Sequence, residues 1–489
     1  MNKGGIPAIP QFSALVRRSL SLGGANAFDY ALQFLLPVLL VRGLTTDAFA
    51  QYRLLWLAVT TLMVVVPLSM SQSLYFFLPR ADAATRSRHI RLTLVYLAVA
   101  GLLGGLLIYP GNPWLPQGMR TLAEFGALVP AIALLVAVTS LLDILPSVEE
   151  RVNWQILITI GLSVLRTVLL GSVAMFTGEL RLLIWAMLGL LLLKLVVLLA
   201  YIHHRHGLAG RWFDSPAFVA QFRHASPLGA SSALYGLRAQ GDQWMAAALF
   251  TTSCFAAFSI ATVLGPLIFL FRYSVNNVFL PSMSRLQAAG DLVGMLKLNN
   301  QANAMVGRLV YPFLALAFAF ATEIITLIYT GAYADAAPVM RVYILGLVPM
   351  VIEVSSLILL LREGRFALIL NGVLLTLSLI GSWIGAHFYG LAGAALGSTL
   401  ALYVDRWVTL RRLSRSTNIS LRQIQDWPKL LHALFLAMVA ALAARLVTDH
   451  VAAQSGVLSR LILGSAVLAA VYGGFSWFHR SASLATAKS

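Results

Sequence analysis

Cysteine is nearly absent from this chain. Cys254 is the only one, which excludes an intramolecular disulfide and any metal site built from clustered thiolates. Charge is scarce as well: Asp, Glu, Lys and Arg make up 11% of 489 residues, with 18 acidic against 35 basic side chains. No nucleotide-binding loop or metal-ligand spacing occurs. Gly393-x-x-x-Gly397 is preceded by no strand, and its small residues suit close helix contact instead. No outer connection exceeds about twelve residues, and none concentrates acids or bases as a catalytic site requires. These absences argue against a soluble domain and against an enzyme.

What the chain has is apolar sequence, 59% of it, in runs of about 20 residues that recur from end to end. Fourteen candidate membrane spans emerge, at 22–41, 54–78, 92–109, 122–147, 154–177, 182–202, 227–250, 255–280, 309–328, 338–361, 366–388, 390–410, 430–448 and 457–478. The expected fold is an all-α polytopic membrane protein. The net charge of +17 would point to nucleic acid in a soluble protein. Here the Lys and Arg residues lie mostly in the connections between apolar runs. With the N-terminus inside, inner connections hold far more of them than outer ones, which places both termini in the cytoplasm. Arg17-Arg18 precedes an apolar run that contains Asp29 and no small-residue cleavage site, so a retained first helix fits better than an export signal.

The chain also repeats itself. Thr45-Thr46-x-x-Phe49-Ala50-x-Tyr52 follows the first span and Thr251-Thr252-x-x-Phe255-Ala256-x-Phe258 the seventh. Phe77-Leu78-Pro79 is matched by Phe279-Leu280-Pro281, and Leu107-Ile108-Tyr109-x-Gly111 by Leu327-Ile328-Tyr329-x-Gly331. Met119-Arg120 with Gly126-x-Leu-Val-Pro130 is matched by Met340-Arg341 with Gly346-Leu-Val-Pro349. Four matches in one order are a duplication. Each copy has six spans, an even number, so the two share one orientation, as in parallel-repeat transporters with substrate between the lobes. The division expected is 1–202 for the N-terminal lobe, 203–226 for a basic cytoplasmic linker, 227–412 for the second lobe, and 413–489 for two additional helices and a tail.

Polar residues inside spans mark function, because a charge at the bilayer centre costs about 2.5–3.5 kcal/mol even on the lenient insertion scale. Tyr235–Trp244 carries Arg238, Gln240, Asp242 and Gln243 within an apolar run. Arg238 and Asp242 are four apart and can pair on one helical face, either lining a wet cavity or fixing packing. Asn26, Asp29 and Gln33 draw a matching stripe on the first helix, and Arg272, Asn276 and Asn277 another on the eighth. Arg166 is a cavity group or a partner for Asp143; Glu353 is a titrating group or a partner for a base. Arg53 and Lys194 sit where their side chains can snorkel to headgroups. His203-His204-Arg205-His206 lies in a basic stretch without nearby acids, so a solvated face fits better than a metal site.

Gly43-Leu-x-x-x-x-Phe49-x-x-Tyr52, Pro281-Ser-Met-Ser-Arg285, Tyr329-x-Gly-x-Tyr333-x-x-Ala-x-Pro-Val and Gly390-Leu-Ala-Gly393-Ala-Ala-Leu-Gly397 together resemble the polysaccharide-transport branch of the multidrug/oligosaccharidyl-lipid/polysaccharide exporter superfamily. The likeness covers nearly the whole chain. It implies a Wzx-type flippase of the bacterial inner membrane that moves an undecaprenyl-diphosphate-linked oligosaccharide between leaflets by alternating access. Such a protein serves O-antigen, capsule or exopolysaccharide synthesis. Its partners would be that lipid-linked glycan, membrane lipid, and polysaccharide polymerase and co-polymerase proteins; no cofactor, metal or nucleic acid is expected. In related flippases the first and eighth helices border a lipid portal, which here puts Asp29 and Arg272 beside it. Substrate-cavity candidates are Arg238, Arg272, Asp242, Gln240, Asn276, Asp29, Asn26, Gln33 and Arg166. Asp29, Asp242 and Glu353 are candidates for ion coupling. The alternatives are an ion-coupled small-molecule or drug exporter of the same superfamily and, against the short outer loops, a membrane glycosyltransferase or polymerase.

The charge bias predicts that a phosphatase reporter fused after Ser489 stays inactive. Activity in the periplasm would reverse the topology.

Overall fold

The computed structural model describes residues 11–207, 210–452 and 454–486; the side chains of 11–23, 26, 117, 273, 277 and 476–486 lie outside that description. Asn26 and Asn277 are among the latter. The described chain is all helix and turn, and it divides into two compact units, Met1–Ala233 and Leu234–Ser489. The boundary falls inside the seventh span rather than at a linker.

The first unit contains α1 (Gln11–Gly43), α2 (Thr46–Val65), α3 (Met70–Phe77), α4 (Ala83–Leu107), α5 (Leu128–Thr139), α6 (Leu145–Val148), α7 (Val152–Thr177), α8 (Leu180–His206) and the first half of α9 (Ser215–Leu249). The second contains the rest of α9, then α10 (Thr252–Ala261), α11 (Leu264–Ala288), α12 (Leu292–Ala319), α13 (Ala321–Tyr329), α14 (Ala336–Leu347), α15 (Ser355–Leu360), α16 (Gly364–Ala394), α17 (Leu396–Thr417), α18 (Leu421–Ile424), α19 (Trp427–Val451) and α20 (Val457–Thr486). Every one of the fourteen spans falls on one helix or on consecutive helical segments. Among the described residues, ten helices are long and apolar enough to cross a membrane by length and composition. Of the others, α9 and α17 carry charges along their length, and the α14–α15 span is broken at Pro349–Val351. The 203–226 segment is itself largely helical, since α8 runs to His206 and α9 starts at Ser215.

The duplication is visible atom by atom. Thr45 caps α2 by accepting the Ala48 N–H at 3.3 Å, and Thr251 caps α10 by accepting the Cys254 N–H at 3.4 Å. Phe49 and Phe255, four residues beyond each cap, are both fully buried. Packing partners repeat too. In the first unit α2 lies on α5, α5 on α8 and α7 on α8; in the second α10 lies on α14, α14 on α17 and α16 on α17. Likewise α1 packs along α7, and α9 meets α16 where Gly241 faces Leu379. The two final helices attach to the second unit through α12 and through a charged cluster in which Arg445 and Arg460 both reach Glu323 and Asp449.

Spans eleven and twelve are joined without a loop. The chain reverses at Gly390, whose φ of 60° and ψ of −142° only glycine adopts at low cost. The backbones beyond the reversal touch: a Cβ on Gly393 would lie 1.9 Å from the Gly385 carbonyl oxygen, and one on Gly397 2.1 Å from the Ser382 nitrogen. We expect Gly397→Val to abolish accumulation of folded protein or to lower its melting temperature sharply. Gly372→Ala, on the same α16 in open space, should leave melting unchanged or slightly raised. Equal melting of the two variants would contradict the close contact.

Candidate functional site: two charged cavities

Asp29 projects from α1 toward α7, because Asp29 and Gln33 lie one turn apart on the face that packs there. The Asp29 carboxylate receives the Ser163 hydroxyl, the Arg166 Nη2 at 3.1 Å and the Gln33 side-chain amide at 2.7 Å. These groups open onto a cavity of about 490 Å³ within the first unit, whose wall also includes Arg53, Asp143, Gln155 and Lys194. Two sequence expectations change here. Arg166 pairs with Asp29 and not with Asp143, which instead takes Lys194 at 2.9 Å. Lys194 is thus held by a carboxylate inside the unit rather than reaching for headgroups, and Arg53 likewise faces the cavity. Three bases against two acids leave the cavity one positive charge in excess.

The second unit buries its corresponding charges more deeply. Arg238 and Asp242, four apart on α9, do not pair with each other. Arg238 Nη2 binds Asp405 Oδ2 of α17 at 3.2 Å, and Arg406 Nη1 reaches the same oxygen at 3.4 Å. Asp242 accepts the Tyr343 hydroxyl of α14 and the Ser398 hydroxyl of α17, and its Oδ1 takes the Gln243 N–H at 2.8 Å. All four charged groups are at most 9% exposed. Arg238 and Asp242 line a smaller cavity, about 320 Å³, with Tyr235, Gln243, Tyr343 and Ser398. Gln240 is half-buried and does not line it; at 100° per residue it points away from both neighbours.

Arg272 is buried against Glu353: Nε lies 3.2 Å from Oε2, and Nη1 donates to the Met350 carbonyl at 2.9 Å. The other Glu353 oxygen accepts the Ser355 and Ser356 N–H groups, so this carboxylate also caps α15 where the tenth span is broken. Asn276 donates to Ser356 in the same corner. Asn303 joins it from below, accepting the Glu353 N–H at 3.0 Å and donating to Gln425 at 2.8 Å.

Sequence reasoning missed Asp405, Arg406, Tyr343 and Ser398. Arg406 lies inside the twelfth span and is buried beside Asp405. The signal was the Asp405-Arg406 pair within an apolar span, the same signal used for Arg238 and Asp242. The histidine cluster has the solvated face expected of it at His203, His204 and Arg205, but an acid is nearby. It forms the last turn of α8, and Glu149 lies beside it, bound by His206 and by Tyr201.

The family described as "Polysaccharide biosynthesis protein" matches residues 40–338. That is well over half of the chain. The chain belongs to this family. Among solved structures, it resembles the lipid II flippase MurJ in an inward closed conformation, at 14% identity and a TM-score of 0.69, covering 94% of this chain and 99% of that one. It also resembles a multidrug resistance MATE family transporter in an inward-facing conformation, at 16% identity and a TM-score of 0.58, covering 80% and 96%. A MOP superfamily transporter from Pyrococcus furiosus matches at 16% identity and a TM-score of 0.55, covering 82% and 96%. At these identities the likeness is one of fold. No curated protein sequence matches. The segment shared with the polysaccharide biosynthesis family includes Arg53, Arg166, Arg238, Asp242 and Arg272, but neither Asp29 nor the partners Glu353 and Asp405.

Removing Asp405 leaves Arg238 and Arg406 buried without a counter-charge, a change that costs about 3–5 kcal/mol when one partner of a buried pair is lost. Asp405→Ala should therefore melt far below the parent protein in detergent. Asp29→Asn, whose partners are partly exposed to the larger cavity, should melt close to it. The reverse order would refute the assignment of the tighter network to the second unit.

Proposed function

We propose that this protein is a flippase for undecaprenyl-diphosphate-linked oligosaccharide, moving it from the inner to the outer leaflet of the bacterial inner membrane by alternating access. It would act as a transporter and not as an enzyme, with both termini in the cytoplasm, and would pass its cargo to polysaccharide polymerase and co-polymerase proteins. The observation that carries this reading is the match to the polysaccharide biosynthesis family together with the net positive cavity of the first unit.

A diphosphate suits that cavity physically. Arg166 is already paired with Asp29, so a phosphate oxygen must compete with one carboxylate for a planar guanidinium fork. Arg53 and Lys194 line the same wall and supply the remaining positive charge. When phosphate takes Arg166, Asp29 loses its cation and keeps the Ser163 and Gln33 donors, a change that links loading to the α1–α7 contact. Export is favoured electrically: moving one net negative charge outward across an inside-negative potential of 100 mV gains about 2.3 kcal/mol. A drug exporter for cations would line the cavity with acids and aromatic faces, and the excess of bases here weighs against it.

Depletion of the protein should cause the lipid-linked oligosaccharide to accumulate on the cytoplasmic leaflet. Arg166→Ala should abolish polymer export while the protein still reaches the membrane, and Arg166→Lys should restore only part, because the fork is lost. Normal export by Arg166→Ala at normal expression would remove this cavity from the transport route.

A further inference from the structure

The second unit also holds a groove of about 1200 Å³ that shares no wall residue with the cavity around Asp242. One wall is the first half of α12, where Lys297, Gln301, Met305 and Leu309 fall four residues apart and so share one side of the helix. The facing wall is the turn through α18 into α19, with Arg422, Gln425 and Asp426. Arg308 immediately precedes the ninth span at Leu309, and Lys429 the thirteenth at Leu430. The groove therefore lies where both spans enter the membrane.

Its charge is not balanced. Asp426 is the one carboxylate lining the groove, and it is already engaged: it pairs with the Lys429 ammonium and caps α19 by accepting the Lys429 N–H at 3.4 Å. Lys297, Arg308 and Arg422 are exposed and form no ion pair among the described residues. Polar groups in the floor are unmet as well. Gln425 is only 1% exposed; its Oε1 accepts from Asn303 at 2.8 Å, while its Nε2 is buried without a partner among the described residues. Asn300 Oδ1, on the α12 wall, is likewise buried and unpartnered. A buried donor without an acceptor costs stability, and a ligand oxygen would relieve it.

We propose that this groove binds an anionic phospholipid, with its phosphate among Lys297, Arg308 and Arg422 and its chains beginning along Met305 and Leu309. Those two apolar side chains are 49% and 55% exposed, at the end of the wall where the ninth span begins. A guanidinium fork takes phosphate oxygens two at a time, and basic pockets between membrane helices hold anionic headgroups by this chemistry. A free phosphate ion would fill a small part of the 1200 Å³ and leave the apolar side of the wall uncovered. The bound lipid fastens α12 to the turn that leads into the two additional helices. It needs neither charged cavity, so the proposal stands apart from the flippase reading.

The test uses the full-length protein in uncharged detergent. Melting is followed against phosphatidylglycerol, against phosphatidylcholine at equal mole fraction, and against inorganic phosphate with chloride at equal ionic strength. A rise in melting temperature with phosphatidylglycerol alone is the expected result. In Arg422→Gln the phosphatidylglycerol needed for half of that rise should increase about fivefold, with melting in detergent alone unchanged. Arg415→Gln removes an exposed arginine seven residues earlier that does not line the groove, and it should behave as the parent. Equal weakening in the two variants would mean a diffuse surface field and overturns the proposal. So does a rise with phosphatidylcholine or inorganic phosphate as large as that with phosphatidylglycerol, or no rise with any probe.

Discussion

The structure depends on keeping each charge within a span beside a partner. In a bundle whose outer surface is built for lipid, an unpaired ion costs more than most packing contacts return. Arg238 and Arg406 share Asp405, Arg272 holds Glu353, and Arg166 holds Asp29. Apart from the adjacent Asp405 and Arg406, each pair joins segments far apart in sequence, so the same contacts that neutralise charge also fix which spans lie side by side. The tight pairs sit in the second unit and the looser ones around the larger cavity of the first. Deeply buried charge and charge that opens onto the larger cavity thus lie in different units.

The duplicated helices keep one backbone plan and carry different chemistry. Both copies retain the threonine cap and the buried phenylalanine after it. Their first helices nonetheless differ at corresponding positions: the alignment of Thr45 with Thr251 places Asp29 opposite Tyr235, and Leu36 opposite Asp242. One copy sends its carboxylate to α7, the other to α14 and α17. A shared scaffold has allowed each half to acquire its own polar network.

The fold was legible because hydropathy and repeated caps are local signals. Span positions, the two six-helix copies and the two additional helices follow from runs of Leu, Val and Ala and from residues such as Thr45 and Thr251. The charged positions were legible for the same reason, since Asp29, Arg166, Arg238 and Arg272 interrupt apolar sequence. Their partners were not. Arg238 has Asp242 within one turn, yet the helix twist and the approach of α17 deliver Asp405 instead. Asp143 was an equally good partner for Arg166 by composition, and only the packing of α8 gives it to Lys194. Choice of partner is a property of tertiary approach, and hydroxyl donors such as Tyr343 and Ser398 leave no mark in a hydropathy profile.

A last consequence follows from the contact between α16 and α17. With glycines at 385, 393 and 397, the two backbones meet with no side chain between them. Such a seam has no room for a file of water molecules, and a proton needs such a file to cross. Transporters work across a standing ion gradient, and every unsealed crevice would dissipate it. The glycine seam makes that pair of helices an insulator, beside the buried charges of Arg238, Asp405 and Arg406.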